Sequence, residues 1–266
     1  MLSRVVTAVV GLPLMGFFLI SGGFTLRVAL LIVVTLGIVE FYNIVGVRSD
    51  AGRVVGHGVA GLYILALPGL ATSEYMLSFL LALIIVNCAM LVLFHRSFCI
   101  TDAAQSIMGF FYVAFLLGFV LLVRESPSGV WLVWLVFISA WGADTCAYFT
   151  GKTLGRHKLF PSVSPSKTVE GAVGGVVGAS VIAMLYGWAV GRVFDSAVNT
   201  DIYVFGVIAA VSSVMSVFGD LSASAVKRYV GVKDFGSIFP GHGGVLDRFD
   251  SVLFAAPSVY VLLSLV

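Results

Sequence analysis

Long apolar stretches recur along this chain, and they constrain its fold more than any other feature. A helix needs roughly 20 mostly apolar residues to cross the hydrocarbon core of a bilayer. The sequence offers nine such stretches, at about 5–21, 26–45, 54–71, 76–94, 106–123, 130–149, 170–191, 203–222 and 247–266. Because 60% of the 266 residues are hydrophobic and only 11% are charged, a soluble domain could not bury the apolar surface. We therefore predict an all-α, polytopic membrane protein with about nine transmembrane helices.

The basic residues predict the orientation of these helices, because Lys and Arg are retained on the cytoplasmic side of inserted spans. With nine spans, twelve of the 15 basic residues fall on one side, and only Arg27, Arg124 and Arg192 fall on the other. This asymmetry predicts a cytoplasmic N-terminus and an external C-terminus, with the first span retained rather than cleaved as a signal. It also assigns the polar loops 150–169 and 223–246 to the cytoplasm, where nucleotides are found.

Charge and cysteine usage exclude several classes of function. The formal net charge is only +2, and no basic patch is interleaved with aromatic residues, so nucleic-acid binding is not indicated. Cys88, Cys99 and Cys146 have no metal-like spacing, which argues against a disulfide framework or a zinc site. We interpret the closely spaced glycines of 171–178 as contacts between helices, since small residues let membrane helices approach closely.

Ionisable side chains inside apolar stretches are costly in lipid and therefore often mark function. Glu40 lies within the second stretch, and we favour a packing role for it as a protonated or hydrogen-bonded carboxylate. Asp144 lies near the end of the sixth stretch, just ahead of a basic loop, and we favour a functional role. Polar residues gather after about residue 105. We therefore predict N-terminal packing or dimer-forming helices at 1–105 and a catalytic transmembrane domain at 106–266.

The loop at 150–169 combines glycine with positive charge. Gly151 and Gly155 allow backbone amides to approach an anion closely. The basic residues of the loop are Lys152, Arg156, Lys158 and Lys167. Lys167 would lie near the N-terminus of the next helix, where amide dipoles also favour an anion, and Thr168 could instead cap that helix. The loop suits a polyphosphate, although a basic loop that contacts lipid headgroups explains the same spacing equally well.

The segment from 219 to 250 carries the strongest functional pattern. If the helix continues through its start, four polar residues recur at intervals of three and four and share one face. They are Asp220, Ser224, Lys227 and Arg228. A glycine-rich loop follows, with Lys233, Asp234 and His242, and the last apolar stretch begins with Asp247 and Asp250.

Asp247 and Asp250 lie one helical turn apart and have two interpretations. Carboxylates at a helix N-terminus compensate the positive end of the helix dipole, which is worth about 0.3–1 kcal/mol. Alternatively, a metal ion that bridges phosphates binds carboxylate oxygens together with water and substrate oxygens, which Asp220 with Asp247 or Asp250 could supply. We favour the metal interpretation.

The residues from Ser224 to Asp250 resemble the signature of the phosphatidate cytidylyltransferase family. The matching positions are Ser224, Lys227-Arg228, Lys233-Asp234, Gly236, Pro240, His242-Gly243-Gly244, Asp247-Arg248 and Asp250. A second conserved region of the family is similar to Asp144, Ala147-Tyr148, Gly151-Lys152, Gly155-Arg156 and the run 164–171, with Ser166 where the family often has lysine. The resemblance is strong over 106–266, whereas the first hundred residues match only as a set of spans.

This resemblance implies a Mg²⁺-dependent reaction in phospholipid biosynthesis, in which CTP and phosphatidic acid give CDP-diacylglycerol and pyrophosphate. We expect Asp220 and Asp247 to bind the metal, with Asp250 and Asp144 as further ligands or as their partners. The expected catalytic residues are Asp220, Asp247, Lys227, Arg228 and Arg248. The expected substrate-binding residues are Lys152, Lys167, Ser224, Lys233, His242, Gly243 and Gly244. The family also implies K⁺ beside Mg²⁺, a homodimer, and a bacterial-type inner membrane with the active site facing the cytoplasm.

Two other functions stay open at the level of sequence. One is a CTP-dependent lipid alcohol kinase or another lipid cytidylyltransferase, because such enzymes also combine many spans with a charged loop site. A kinase would move the γ-phosphate of CTP to lipid, and a cytidylyltransferase moves the α-phosphate. The other is an ion-coupled transporter, in which Asp144 and Asp220 would carry the coupling ion. Against the transporter, the polar residues cluster towards one face and no inverted repeat is evident.

Overall fold

The protein is almost entirely helical in a computed structural model that describes residues 2–70, 73–193, 201–238 and 243–266. Within these ranges the chain forms nine helical segments and one short hairpin. The first helices are α1 (Leu2–Ser21), α2 (Gly23–Val45), α3 (Asp50–Leu70), α4 (Ser73–Leu93) and α5 (Ile100–Glu125). They are followed by α6 (Gly129–Leu154), strands β1 (Lys158–Phe160) and β2 (Ser164–Thr168), α7 (Val169–Val193), α8 (Ile202–Val230) and α9 (Leu246–Leu263).

Within the described ranges, seven helices, α2 to α8, are long and apolar enough to cross a membrane. The predicted all-α, polytopic membrane protein is therefore confirmed. The count of nine spans and the side of the N-terminus stay predictions. Among the residues described in full, α1 contributes only a shorter apolar segment, Gly11–Ser21, and α9 carries Asp247, Arg248 and Asp250 within its first five residues.

Both predicted polar loops are shorter in the structure than in the sequence analysis. Helix α6 continues to Leu154, and β1 pairs with β2 in an antiparallel hairpin, so only short connections of 150–169 are irregular. Helix α8 continues to Val230 and ends at Gly231, whose φ of 79° lies in the left-handed region that glycine adopts readily. In α8 the extension contains Ala223, Ala225, Lys227 and Arg228, which are good helix formers, so the helix continues past its apolar stretch.

The chain divides into two compact units. The first contains Met1–Leu122 together with Val232–Arg248, and the second contains Val123–Gly231 together with Phe249–Val266. In the first unit, Tyr63 and Phe110 are fully buried, with ring centroids 5.2 Å apart in an edge-to-face arrangement. The predicted division at residue 105 concerned the location of the catalytic residues, which packing does not test.

In the second unit, glycines allow α7 to pack closely on α6. A Cβ atom at Gly175 would lie 2.8 Å from the carbonyl oxygen of Ala143, and one at Gly178 would lie 2.5 Å from Cys146 Sγ. Both distances are far shorter than a normal contact. The interpretation of these glycines as helix contacts is therefore confirmed. The close approach places the start of α7, and with it the hairpin that precedes α7, against residues 143–151 of α6.

Candidate active site

Three carboxylates of the second unit lie within electrostatic range of one another. Asp144 belongs to α6, Asp220 to α8 and Asp250 to α9. Asp250 has both Asp144 and Asp220 among its interacting charges, and Asp144 has Asp220 among its own. The structure thus brings together three of the four residues that the sequence predicted as metal ligands.

Local backbone geometry explains how these carboxylates meet. A π-helical turn, Ile138–Gly142, ends two residues before Asp144, and such turns occur frequently at functional sites. Next to Asp220, a Cβ atom at Gly219 would lie 2.5 Å from the backbone carbonyl oxygen of Asp250. Glycine at 219 therefore lets α8 and α9 touch where their carboxylates lie.

Lysines and hydroxyl groups compensate this negative charge. Lys167, in β2, forms an ion pair with Asp220, and the two side chains are 22% and 25% exposed. Lys167 also acts electrostatically on Asp144, whose Oδ2 accepts a hydrogen bond of 2.8 Å from the Ser251 hydroxyl. Lys227 is buried and is one of the charges that act on Asp250. The site therefore holds both signs of charge, as a metal-bound polyphosphate requires.

The face predicted for α8 is only partly confirmed. The helix does continue through this segment, and Ser224 Oγ donates to Asp220 Oδ1 over 3.4 Å, a long hydrogen bond. Lys227 is buried, but its neighbour Arg228 is exposed. Consecutive residues point about 100° apart around a helix of 3.6 residues per turn, so the pair cannot share one environment.

A cavity of about 330 Å³ lies within the second unit, and one of the three carboxylates, Asp144, lines it. Its lining includes Asp144, Tyr148, Lys152, Lys167 and Thr168. The Lys152 ammonium lies 5.8 Å from the centre of the Tyr148 ring, close enough for a cation–π contact. The predicted polyphosphate loop thus contributes two lysines to one cavity.

Thr168 and Glu170 organise the entry to α7. Thr168 Oγ1 accepts a hydrogen bond of 3.1 Å from the Gly171 amide, which confirms the predicted helix cap. Glu170 accepts hydrogen bonds from the amides of Arg156 and His157 and contacts His157 Nδ1 at 2.6 Å. Glu170 thereby ties the end of α6 to the start of α7. Its position in the run 164–171 was the only sequence signal for this role.

The described part of the glycine-rich loop, from Val232 to the start of α9, belongs to the first unit. It holds the Asp247 carboxylate through backbone amides, whereas Asp144 and Asp220 are held by side chains. Asp247 Oδ2 accepts hydrogen bonds from the backbone amides of Phe235, at 2.7 Å, and Gly244, at 2.9 Å. Gly243 has a φ of 79°, which favours glycine. In the same loop, Lys233 is exposed. At the start of α9, Arg248 is exposed as well. The predicted roles of these residues in binding substrate stay predictions, and His242 lies outside the described residues.

The donor set of the second unit fits a magnesium ion that is shared with a substrate. Among the residues that the structure describes, no group of three or more His, Cys, Asp or Glu side chains could by itself hold a metal. Mg²⁺ usually binds one or two carboxylates and takes its other ligands from water and substrate phosphates. Asp144, Asp220 and Asp250 offer such carboxylates beside lysines. Asp247 lies in the other unit, and its role as a metal ligand stays a prediction.

Together, these features define a multi-pass membrane protein with a charged, phosphate-compatible site formed by α6, α8, α9 and the β hairpin. Sequence comparison assigns the family. The model of the Cytidylyltransferase family matches residues 2–266, so the chain belongs to the cytidylyltransferase family. The family indicated by the signature residues is therefore confirmed.

Three relatives that are similar over 98% of their length share one name. Proteins called phosphatidate cytidylyltransferase from Staphylococcus saprophyticus and Staphylococcus aureus are each 33% identical to this chain, and the one from Staphylococcus haemolyticus is 32% identical. In each case the match covers 98% of this chain and 98% of the relative. The similarity therefore includes the first hundred residues, which sequence motifs alone left without an assignment.

Proposed function

We propose that this protein transfers CMP from CTP to phosphatidic acid, forming CDP-diacylglycerol and pyrophosphate. In this reaction an oxygen of the lipid phosphate attacks the α-phosphorus of CTP. The bond between the α-phosphorus and the oxygen that bridges to the β-phosphate breaks, and pyrophosphate leaves with that oxygen. The lipid phosphate is already a nucleophile, so the protein needs no covalent intermediate and no general base.

The observation that carries this proposal is the Lys167–Asp220 ion pair beside Asp144 and Asp250, at the edge of a cavity. Phosphoryl transfer requires positioning and the neutralisation of charge more than a protein nucleophile. Lys167 and Lys152 can bind phosphate oxygens, and a lysine contact can stabilise pyrophosphate as it departs. Lys227, Lys233, Arg228 and Arg248 are proposed, from the family signature, to bind the triphosphate or the lipid phosphate.

We propose Mg²⁺ as the metal, with Asp220 and Asp247 as its carboxylate ligands and Asp144 and Asp250 as further ligands or as groups that orient them. When bound, the ion would neutralise charge on the transferred phosphoryl group and orient its oxygens. Ser251 keeps the Asp144 carboxylate in position through its hydroxyl group. K⁺ beside Mg²⁺ and a homodimer are proposals that come from the family resemblance alone.

A site of this kind suits a reaction with one water-soluble and one lipid substrate. CTP arrives from water, whereas the acyl chains of phosphatidic acid remain in the bilayer. A cavity lined by charged residues among membrane helices would give access to both. We propose that it faces the cytoplasm, as the distribution of Lys and Arg predicts.

Label transfer tests the proposal directly. Purified protein is incubated with phosphatidic acid, Mg²⁺ and CTP labelled on either the α- or the γ-phosphate. The proposal requires labelled lipid from α-labelled CTP and none from γ-labelled CTP. Lipid labelled only from γ-labelled CTP would identify a kinase instead. Absence of labelled lipid under every divalent metal would refute both activities.

A further inference from the structure

Glu40 is the most completely buried carboxylate for which neither the reaction nor the family signature provides a role. Its side chain lies in α2, and the residue is only 3% exposed. Oε1 accepts a hydrogen bond of 2.9 Å from the Val245 amide, and Oε2 accepts one of 2.9 Å from the Leu246 amide. These amides begin α9, where helix N–H groups have no partner within the helix. One carboxylate of α2 therefore holds the start of a helix that follows 205 residues later.

Two glycines of the signature loop are explained by the same carboxylate. A Cβ atom at Gly236 or at Gly244 would collide with the carboxylate of Glu40. Neither glycine has a positive φ, so backbone conformation does not require glycine at these positions. The backbone at Gly236 and at Gly244 lies close to Glu40, and the space that a side chain at either position would need is occupied by the carboxylate.

Further contacts fix α2 against this loop. A Cβ atom at Gly37, one turn before Glu40, would lie 3.1 Å from a methyl carbon of Leu246. Val245, Leu246 and Phe235 are each at most 3% exposed. The apolar residues Phe235, Val245 and Leu246 are thus packed, and the amides of the last two donate to Glu40.

The loop in turn determines the position of Asp247. The amide of Gly244 donates to Asp247 Oδ2, and the next two amides of the chain donate to Glu40. The amide of Phe235, adjacent to Gly236, also donates to Asp247 Oδ2. Any rotation of this backbone that breaks the Glu40 contacts also moves the amides that hold Asp247.

We propose that Glu40 is a positioning residue for the reaction, which acts by fixing the loop that presents Asp247 and Arg248. This inference rests on the proposed function, because its kinetic consequence depends on Asp247 binding the metal. The contact itself does not depend on that role and can be measured without any substrate.

Hydrogen exchange tests the contact. In Glu40→Gln the side chain keeps its size, but only one oxygen remains, so an NH₂ group replaces the acceptor for one of two amides. Protein in lipid nanodiscs should then exchange the amides of the peptide 243–248 at least about 10-fold faster, as expected when a hydrogen bond to a charged group is lost. The hairpin peptide 158–168 of the second unit should exchange at the wild-type rate. Unchanged exchange at 243–248 would overturn the inference, whatever the activity of the protein.

Kinetics separate positioning from a general loss of structure. Asp102→Asn is the matched control, because Asp102 is 5% exposed and also accepts backbone hydrogen bonds, from Arg48 and Cys99, within the first unit. Glu40→Gln should raise the Mg²⁺ concentration for half-maximal activity, or lower kcat, by about 10–100-fold, as is usual for groups that orient metal ligands. Asp102→Asn should leave the Mg²⁺ dependence unchanged. Equal changes in Mg²⁺ dependence or kcat in both variants would show that Glu40 contributes to structure only.

A second pair of variants keeps the test decisive if Glu40→Gln does not fold. Gly236→Ala retains Glu40 but displaces its carboxylate, and it should reproduce the shift in Mg²⁺ dependence. Gly58→Ala is its control, since a Cβ atom at Gly58 meets nothing within 4 Å. Wild-type Mg²⁺ dependence and wild-type exchange in Gly236→Ala would contradict the inference. Failure of the wild-type protein to label lipid would instead contradict the proposed function.

Discussion

Two carboxylates of the first unit, Glu40 and Asp247, are held differently from two of the second, Asp144 and Asp220. Glu40 and Asp247 each accept two backbone amides at distances of 2.7 to 2.9 Å. Asp220 pairs with the side chain of Lys167, and Asp144 accepts a hydrogen bond from the side chain of Ser251. Backbone amides are fixed by the fold, whereas a lysine or hydroxyl group can rotate away and bind something else.

We therefore expect the backbone-held carboxylates to support the structure and the carboxylates held by side chains to be able to change partners. A carboxylate held by backbone amides cannot exchange partners without unfolding the loop, so it determines geometry. Lys167 and Asp220 are each about one-quarter exposed, and a phosphate or a metal ion could replace either partner at small cost. We expect substitutions in the second unit to affect catalysis most, and substitutions in the first to affect stability as well.

The largest expected effect is that of Asp220→Asn. Loss of one charge at the centre of the second unit should reduce lipid-linked CMP formation by about 100–1,000-fold, the size typical of losing a preorganised electrostatic group. The melting temperature should change little, because the partner of Asp220 is a partly exposed lysine. Thermal unfolding in detergent and the α-label assay measure the two quantities. Asp220→Asn with near wild-type activity would remove Asp220 from the metal site.

Asp247→Asn tests the same comparison in the first unit, where backbone amides hold the carboxylate. Activity should fall by about 10–100-fold or more if Asp247 binds the metal or orients the group that does. Unlike Asp220→Asn, this variant should also lose about 1–3 kcal/mol of stability, because the two amides that donate to Oδ2 would then donate to a neutral carbonyl oxygen instead of a charged carboxylate. If the two variants were equally stable, the difference between backbone and side-chain partners would have no effect on the free energy of unfolding. Full activity in both would contradict the metal assignment.

Lys167→Ala should act mainly on nucleotide binding. Removing a lysine from the phosphate-compatible cavity should raise KM for CTP by about 10-fold with a smaller change in kcat, as expected when uniform binding is lost. Lys167→Arg serves as the control, since it retains the charge and should recover part of the affinity. An unchanged dependence on CTP concentration would remove Lys167 from the phosphate site.

The smallest effect is expected at the start of α7. Thr168→Ala removes the hydroxyl group that accepts the Gly171 amide, which should cost about 1 kcal/mol of stability. Thr168→Ser keeps the hydroxyl group and should unfold close to the wild-type temperature. A side-chain cap on the exposed hairpin side of the second unit should thus matter less than the backbone-held carboxylates of the first. A loss larger than that of Asp247→Asn would reverse this order.

Several parts of the site followed from local sequence. Asp144, Lys167 and Asp220 were selected because polar residues stand out at the ends of apolar stretches, and the fold brings all three together. The helix cap at Thr168 also followed from its position before α7. The end of α8 was placed too early, since hydropathy marks the part of a helix in lipid rather than the helix itself.

Sequence by itself determined that this chain is a polytopic membrane protein, and its signature residues identified the family. Lys167 was a candidate because its positive charge lies in a glycine-containing loop, whereas Ser251, the hydrogen-bond partner of Asp144, was not predicted. Glu40 was favoured as a packing carboxylate, and it is indeed buried and hydrogen-bonded. Only the tertiary structure decided what it binds, because its donors are the backbone amides of Val245 and Leu246, and almost every residue carries such an amide.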